Sequence, residues 1–363
     1  LSKAIPGLIT SSRRAMLPKT KMAKLLTTIG THSGAFQADE ALGVWLLRRL
    51  PRYASAPLTR SRDPEVLKPL TIVIDVGAAY DHAALRYDHH QRGFFETFDG
   101  AAGEATKPED ATGAFKTKLS ASGLVYKHYG RDIMKILHPG LEAEALEWCF
   151  FKHYKEFMEA LDAIDNGIEI ADETRYKDGS SLPARVHRLN RPWNVAPAPG
   201  DEDARFERAS ALCGSEFAAA LAHVVDVEWP ARALVAAALD GRNAVDASGR
   251  VICLDSGGCP WRTHLYDLER KSGIEAHVKF VLYPDSAGMW RVQAVTAEGT
   301  QFTNRLGLLE AWRGLRDDKL EAASGLAGAK FVHATGFIGG HATRDGALAM
   351  ARATLAAADA AGP

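Results

Sequence analysis

The chain has 363 residues, 44 Lys+Arg against 45 Asp+Glu, and a hydrophobic fraction of 46%. That composition is globular, the length suits two domains, and near-neutrality excludes a basic coat for duplex DNA. No apolar run reaches the ~18–20 residues of a membrane span, and four cysteines without a C-x-x-C pair exclude a disulfide framework or zinc knuckle and fit a reducing compartment.

Residues 1–24 form a basic leader or disordered tail, because six basic residues and no acid precede Asp39. An acid-free, Arg-bearing start reads either as a mitochondrial transit peptide or as a plain tail. Residues 25–30 read as a buried strand and 31–38 as a loop. Residues 39–50 read as a helix, with Asp39 and Glu40 in its first turn and Arg48 and Arg49 in its last, the order that suits the helix dipole. After a connection starting at Asp63-Pro64, residues 71–76 (TIVIDV) form a second strand ended by Gly77. A third, 85–88, runs into Asp88-His89-His90. Strand, helix, strand at this spacing predicts parallel α/β architecture. A loop comes next over 99–117, then helices over 120–129 and 140–165, and a short helix within 180–193. Residues 197–203 (PAPGDED) read as a linker, and 205–239 as a helical connector broken near Trp229-Pro230. Strands are expected over 251–254, 277–283 and 290–295, with a closing helix over 343–357. The domains are therefore 25–200, catalytic and metal-binding, and 201–363, a substrate-binding domain.

Ligands of parallel α/β sheets gather at the carboxyl ends of the strands. There this chain places His32, Gln37 and Asp39, then Asp75, then Asp88, His89 and His90. Carboxylates and imidazoles suit Mn²⁺ or Mg²⁺ better than thiol-seeking metals. Two such ions, about 3.5–4 Å apart, serve in-line attack on phosphorus. Asp75 is the natural bridging ligand, having two oxygens to share. Asp162 and Asp165, three residues apart, face one side of a helix, and one or both could complete the ligand set of the second metal. Taken singly, each of these residues could equally be a cap, a core histidine or a solvated helix face.

Asp88-His89-His90 resembles the signature of the DHH phosphoesterases, which include RecJ-type exonucleases and family II pyrophosphatases. Longer stretches narrow the likeness: 29–42 (IGTHSGAFQADEAL), 87–92 (YDHHQR), 162–168 (DAIDNGI), 184–190 (ARVHRLN), Cys259-Pro260-Trp261 with His264-Leu265-Tyr266, 312–317 (WRGLRD) and 331–344 (FVHATGFIGGHATR). Over residues 28–355 the chain resembles the Myg exonuclease family, also called melanocyte-proliferating-gene proteins. The resemblance implies a DHH-type parallel-sheet domain with helices on both faces, a smaller C-terminal α+β domain, and an active site in the cleft between them. It also implies two divalent cations and 3′-to-5′ exonuclease action on single-stranded RNA, in mitochondria, nuclei or both. By position it makes His32, Asp39, Asp75, His89 and Asp165 metal ligands, with Asp165 preferred over Asp162. It gives Asp75, Asp88, His89 and His90 catalytic parts, Asp88 and His90 orienting the site or the phosphate. The family usually carries His where this chain has Gln37. An amide oxygen holds Mn²⁺ more weakly than imidazole, so Gln37 is expected to weaken the first site.

For substrate, Gly339-Gly340-His341 is similar to the glycine-rich loop of DHH-associated domains, a backbone nest for phosphate, with Arg344 adding charge. Arg185, Arg188 and Arg191 would line one helix face, and Trp193, Trp261 and Tyr266 are candidates to stack on bases. Two other functions stay open at this level: a phosphatase for pyrophosphate or a short nucleotide, and an RNA-binding protein whose metal centre Gln37 has weakened.

Overall fold

A computed structural model describes residues 27–100 and 112–362. The leader expected over 1–24 lies outside the described residues, as do residues 101–111 of the expected loop. β1 (Ile29–Thr31) and β3 (Ile72–Ile74) are short, β-branched and buried on both faces, the pattern of central parallel strands. The first sheet has the order β2-β1-β3-β5-β4, with β2 (Leu58–Arg60), β4 (Tyr80–Asp81) and β5 (Arg86–Tyr87). All pairings are parallel except β4 against β5. α1 (Ala38–Arg49) crosses from β1 to β2, and α2 (Pro64–Leu67) from β2 to β3. β2 escapes the sequence pattern because it is brief and lies between Pro57 and Pro64, which read as a connection.

Next come α3 (Ala121–Leu137), α4 (Ala143–His153), a π-helical turn at Tyr154–Met158 and α5 (Glu159–Asp165). The wide turn adds one residue to the helix, which rotates everything after it by about 100°. It thereby sets the direction in which Asp162 and Asp165 point. After the short α6 (Leu182–His187) comes α7 (Asp201–His223), a second π turn at Val224–Glu228, α8 (Ala231–Asp240) and α9 (Arg242–Val245). The expected connector is divided between two cores. Phe206, Cys213 and Phe217 of α7 pack with Leu42, Leu46, Ile74 and Leu124 in the first. Val235 and Leu239 of α8 pack with Ile252 and Val281 in the second. Each large apolar side chain so buried contributes about 1.5–3 kcal/mol. Contrary to the sequence expectation, residues Asp201–Asp240 are long and apolar enough to cross a membrane by length and composition, with mean hydropathy 1.2 over the best window. Part of that apolarity is used in packing on the two cores.

The second sheet has the order β6-β7-β8-β10-β9, from β6 (Val251–Cys253), β7 (Phe280–Pro284), β8 (Trp290–Ala294), β9 (Ala329–Val332) and β10 (Ile338–His341). Only β6 and β7 are parallel. α10 (Arg262–Lys271), carrying Leu265, covers one face beside Trp261. α12 (Arg344–Ala361) and α11 (Asp317–Ser324) cover the other with Leu348, Met350 and Leu320.

Candidate metal centre

His32 comes after β1, Asp75 after β3, and Asp88 to His90 after β5, so three adjacent parallel strands deliver their polar residues to one edge. Asp75 is held there at φ 56°, a left-handed conformation that costs an L residue of order 1–3 kcal/mol. Its backbone N–H donates to Tyr87 O at 2.9 Å, which fixes the bend. Asp75 Oδ2 lies 3.4 Å from His32 Nε2, and Oδ1 lies 3.4 Å from His89 Nε2. Asp75 thus stands between the imidazoles of His32 and His89. On one side stand His32, Glu40 and Asp75; on the other stand Asp39, His89 and Asp165.

The donor set fits divalent cations. Glu40 Oε2, Asp75 Oδ1 and His89 Nε2 are buried and lack a hydrogen-bond partner. His89 Nε2 is 3.0 Å from Asp165 Oδ2, but the two meet without hydrogen-bond geometry. Buried oxygens and an imidazole nitrogen aimed at one another are costly unless a cation satisfies them. Burial alone would lower the pKa of His32; the approach of Asp75 and Glu40 outweighs it and lifts His32 to about 10. The same contest, with Asp165 and Asp75, lifts His89 to about 11. Asp39 is pushed well above the carboxylate range by burial and by the charges of Asp165 and Asp75. These groups call for positive charge.

The N-terminus of α3 fixes the second group. Asp39 accepts from Ser122 N at 2.6 Å, Ala121 N at 3.0 Å and Ser120 Oγ at 2.6 Å, a favourable seat for a carboxylate. Asp162 accepts from Ser120 N at 3.0 Å and Tyr154 OH at 2.8 Å. A Cβ on Gly123 would fall 2.2 Å from Asp162 Oδ1, so only glycine admits this approach. Asp162 is thus occupied in packing, and Asp165 is the residue that faces the cluster. Asn166 donates both amide hydrogens to Lys118 O and Asp162 O, at 2.9 and 2.8 Å. Its Oδ1 therefore receives His89 Nδ1–H at 3.2 Å, leaving Nε2 turned to the cluster.

Asp88 forms a further cluster with Asp75, His89 and His90, and its own hydrogen bonds fix it. Its Oδ1 accepts from His89 N at 2.8 Å and His90 Nδ1 at 2.7 Å, and its Oδ2 accepts from Ala78 N. Although burial opposes it, the His90 side chain and these N–H groups hold Asp88 down at about 2. His90 is mostly exposed, is anchored at Nδ1 and borders a cavity of about 410 Å³. That cavity is bordered by Gln37, Asp75, Asp165 and Arg62. A second, of about 220 Å³, is bordered by Gln37, Asp39, Asp165, Pro183 and His187.

Comparison with known proteins decides the family. A family model described as an uncharacterised protein family, UPF0160, matches residues 28–355. MYG1 exonuclease of Mus musculus is 48% identical over 331 residues, which span 90% of this chain and 84% of that protein. The chain belongs to the MYG1 exonuclease family. MYG1 exonuclease of Homo sapiens is 46% identical, covering 93% and 89% of the two chains, and a MYG1 protein of Saccharomyces cerevisiae is 43% identical, covering 92% and 97%. Solved structures are remote: exonuclease RecJ bound to manganese matches with a TM-score of 0.21 at 15% identity, over 93% of this chain and 91% of that one.

For a MYG1 family member the substrate residues fall elsewhere than expected. α6 ends at His187, so Arg188 and Arg191 lie beyond it and the three arginines do not share a helix face. Arg185 pairs with Glu216 at 2.9 Å, Arg188 donates to Gly179 O and Arg191 to Val195 O, both at 2.6 Å. Gly339 and Gly340 are not a loop but the middle of β10, laddered to β8 and β9 on both sides, which leaves no nest of free N–H groups. His341 is buried, and burial lowers its pKa. Arg344 opens α12 and lies 3.4 Å from Asp255. Trp261 is core, Tyr266 donates its hydroxyl to Thr296 O at 3.0 Å, and Trp193 is 95% exposed. The two cavities that border the metal cluster are lined by residues between 32 and 187, with none from the second sheet among the described residues.

Two residues escape sequence reading. Glu40 sits in the first turn of α1, where an acid is explained by the dipole; only its complete burial shows more. Arg62 comes just after β2, the strand that the pattern hides. Its Nε donates to Ser33 O at 3.1 Å, and its Nη2 lies 3.1 Å from His32 Nδ1. Nδ1 is also 3.2 Å from Ser33 O. Nδ1 can serve either as donor to Ser33 O or as acceptor from Arg62 Nη2, not both.

Proposed function

We propose that this chain is a divalent-metal-dependent 3′-to-5′ exonuclease acting on single-stranded RNA. The observation that carries the reading is Asp75, one carboxylate between two ligand groups at the carboxyl edge of a parallel sheet. The name of its relatives supports an exonuclease. His32, Gln37 and Asp75 would hold one ion, Mn²⁺ or Mg²⁺, and Asp39, Asp75, His89 and Asp165 the other. When bound, such a pair supplies an activated water and takes up charge on phosphoryl oxygens.

The chain's own residues do the rest. Arg62 gives a phosphate oxygen a charged hydrogen bond at the mouth of the larger cavity. His90, held at Nδ1 by Asp88, presents Nε2 to protonate the leaving oxygen. Asp88 keeps that imidazole oriented and favours its protonated form, raising its pKa. Asn166 holds His89, and the N-terminus of α3 holds Asp39. The test is 5′-labelled RNA with a free or blocked 3′ end, run beside pyrophosphate. A ladder of shortening products from the free end alone supports the reading. Cleavage of pyrophosphate without a ladder turns it into a small-substrate phosphatase. Salt-dependent RNA binding without turnover at any Mn²⁺ concentration turns it into a binding protein.

A further inference from the structure

We infer that Glu40 is a ligand of the first metal ion in this chain, supplying the donor that Gln37 provides only weakly. Gln37 is the N-cap of α1, and its backbone N–H donates to Glu40 Oε1 at 2.9 Å. Capping occupies one oxygen of Glu40. That same Oε1 also lies 2.9 Å from His32 Nε2. Oε2 is buried and has no partner. The Glu40 side chain is wholly inaccessible, at 0% exposure. One ligand atom each from Glu40, His32 and Asp75 lies within 4.8 Å of the others. An isolated carboxylate oxygen in such a place is costly unless a cation or a proton meets it. Gln37 borders the same cavity as His32 and Asp75, but its neutral amide brings no charge. A carboxylate one helical turn along supplies both a hard oxygen and a negative charge. The oxygen that takes the cap also faces His32 Nε2, and the second oxygen, Oε2, is the buried one without a partner.

This inference rests on the metal-dependent reading and is tested by a mutant cycle read by binding, not turnover. Mn²⁺ alone is titrated into the full chain and followed by electron paramagnetic resonance, with pulsed detection of nitrogen coupled to the ion. Glu40→Gln keeps the capping oxygen and removes the charge. It is expected to weaken the weaker of two Mn²⁺ sites at least tenfold and leave the other unchanged. Gln37→His is expected to gain less than threefold in the wild-type background, and to recover the loss in the Glu40→Gln background with one added nitrogen coupling. Two unaltered affinities in Glu40→Gln overturn the inference. So does a tenfold gain from Gln37→His alone, a variant that keeps Glu40 and its packing. Wild-type protein that binds no Mn²⁺ removes the metal-dependent reading as well, which separates the two failures.

Discussion

The two sheets carry their polar residues in opposite ways. In the second sheet β7, β8, β9 and β10 have four or five residues each, glycines sit inside the ladder, and Arg291, the arginine beside Gly340, is tied to Asp285. In the first sheet the strands have only two or three residues, and the polar groups near their ends are strained and buried: Asp75 at positive φ, Asp39 and Glu40 inside, and Glu40 Oε2, Asp75 Oδ1 and His89 Nε2 without partners. A fold keeps such costs only where something offsets them. The contrast assigns the chemistry to one edge of the first sheet, where carboxylates and imidazoles converge; in the second, unpartnered atoms such as Arg291 Nη1 and Glu269 Oε2 belong to side chains already held in ion pairs.

The sharpest way to break this contrast is Asp75→Asn. Loss of the shared carboxylate should lower RNA turnover by more than about 100-fold, measured on the labelled ladder with folding checked by circular dichroism; near wild-type turnover would remove Asp75 from the centre. Arg62→Ala should raise KM about tenfold, the worth of one charged hydrogen bond, while Mn²⁺ affinity stays constant. A fall in kcat with constant KM would make Arg62 a support of His32 instead.

Asp88→Asn should act through His90. Asp88 raises the His90 pKa, and His90 must be protonated to act, so activity is lost as pH rises through that pKa. Removing the Asp88 charge should move the alkaline limb of the pH–rate profile to lower pH. An unmoved limb would assign the proton to another group. Gly339→Val tests the second sheet, since a Cβ there meets Leu308 and Met350 at 3.0 Å. It should cost about 1–3 kcal/mol of stability, seen as a lower Tm, with KM unchanged; a raised KM at constant Tm would restore Gly339 to substrate binding. The smallest effect concerns Asp162, lifted to about 7 by burial. A buried acid with a raised pKa binds more protons folded than unfolded, so metal-free stability should fall as pH rises from about 4 to about 7. Asp162→Asn should flatten that slope in denaturant titrations.

Much of the first region is legible from residues alone, because its ligands come after β-branched strands at fixed spacing. The parallel strands near 29, 72 and 86 and the helix after Ser120 agree with the structure, and Asp165 clusters with Asp39 and His89 where Asp162 does not. β2 is hidden by its prolines, and with it Arg62. Glu40 is hidden because two good reasons for an acid, the dipole and a ligand, look the same in sequence. The second region misleads because glycine along a chain reads as a sign of exposure. Gly339 and Gly340 are there because Leu308, Met350, Phe331 and Arg291 leave no room for a Cβ, which is a packing reason invisible along the chain. Arg185, Arg188 and Arg191 do not align for want of helix length, since Asn190 donates to Phe36 O at 2.8 Å and draws the chain after α6 toward the metal edge.

Two cations sharing Asp75 are the central requirement of the proposed centre. Electron paramagnetic resonance of the wild-type chain at rising Mn²⁺ tests it directly. The account predicts two ions per chain with a spin-coupled spectrum that Asp75→Asn abolishes. A spectrum of isolated Mn²⁺ at every loading, unchanged in Asp75→Asn, would contradict it.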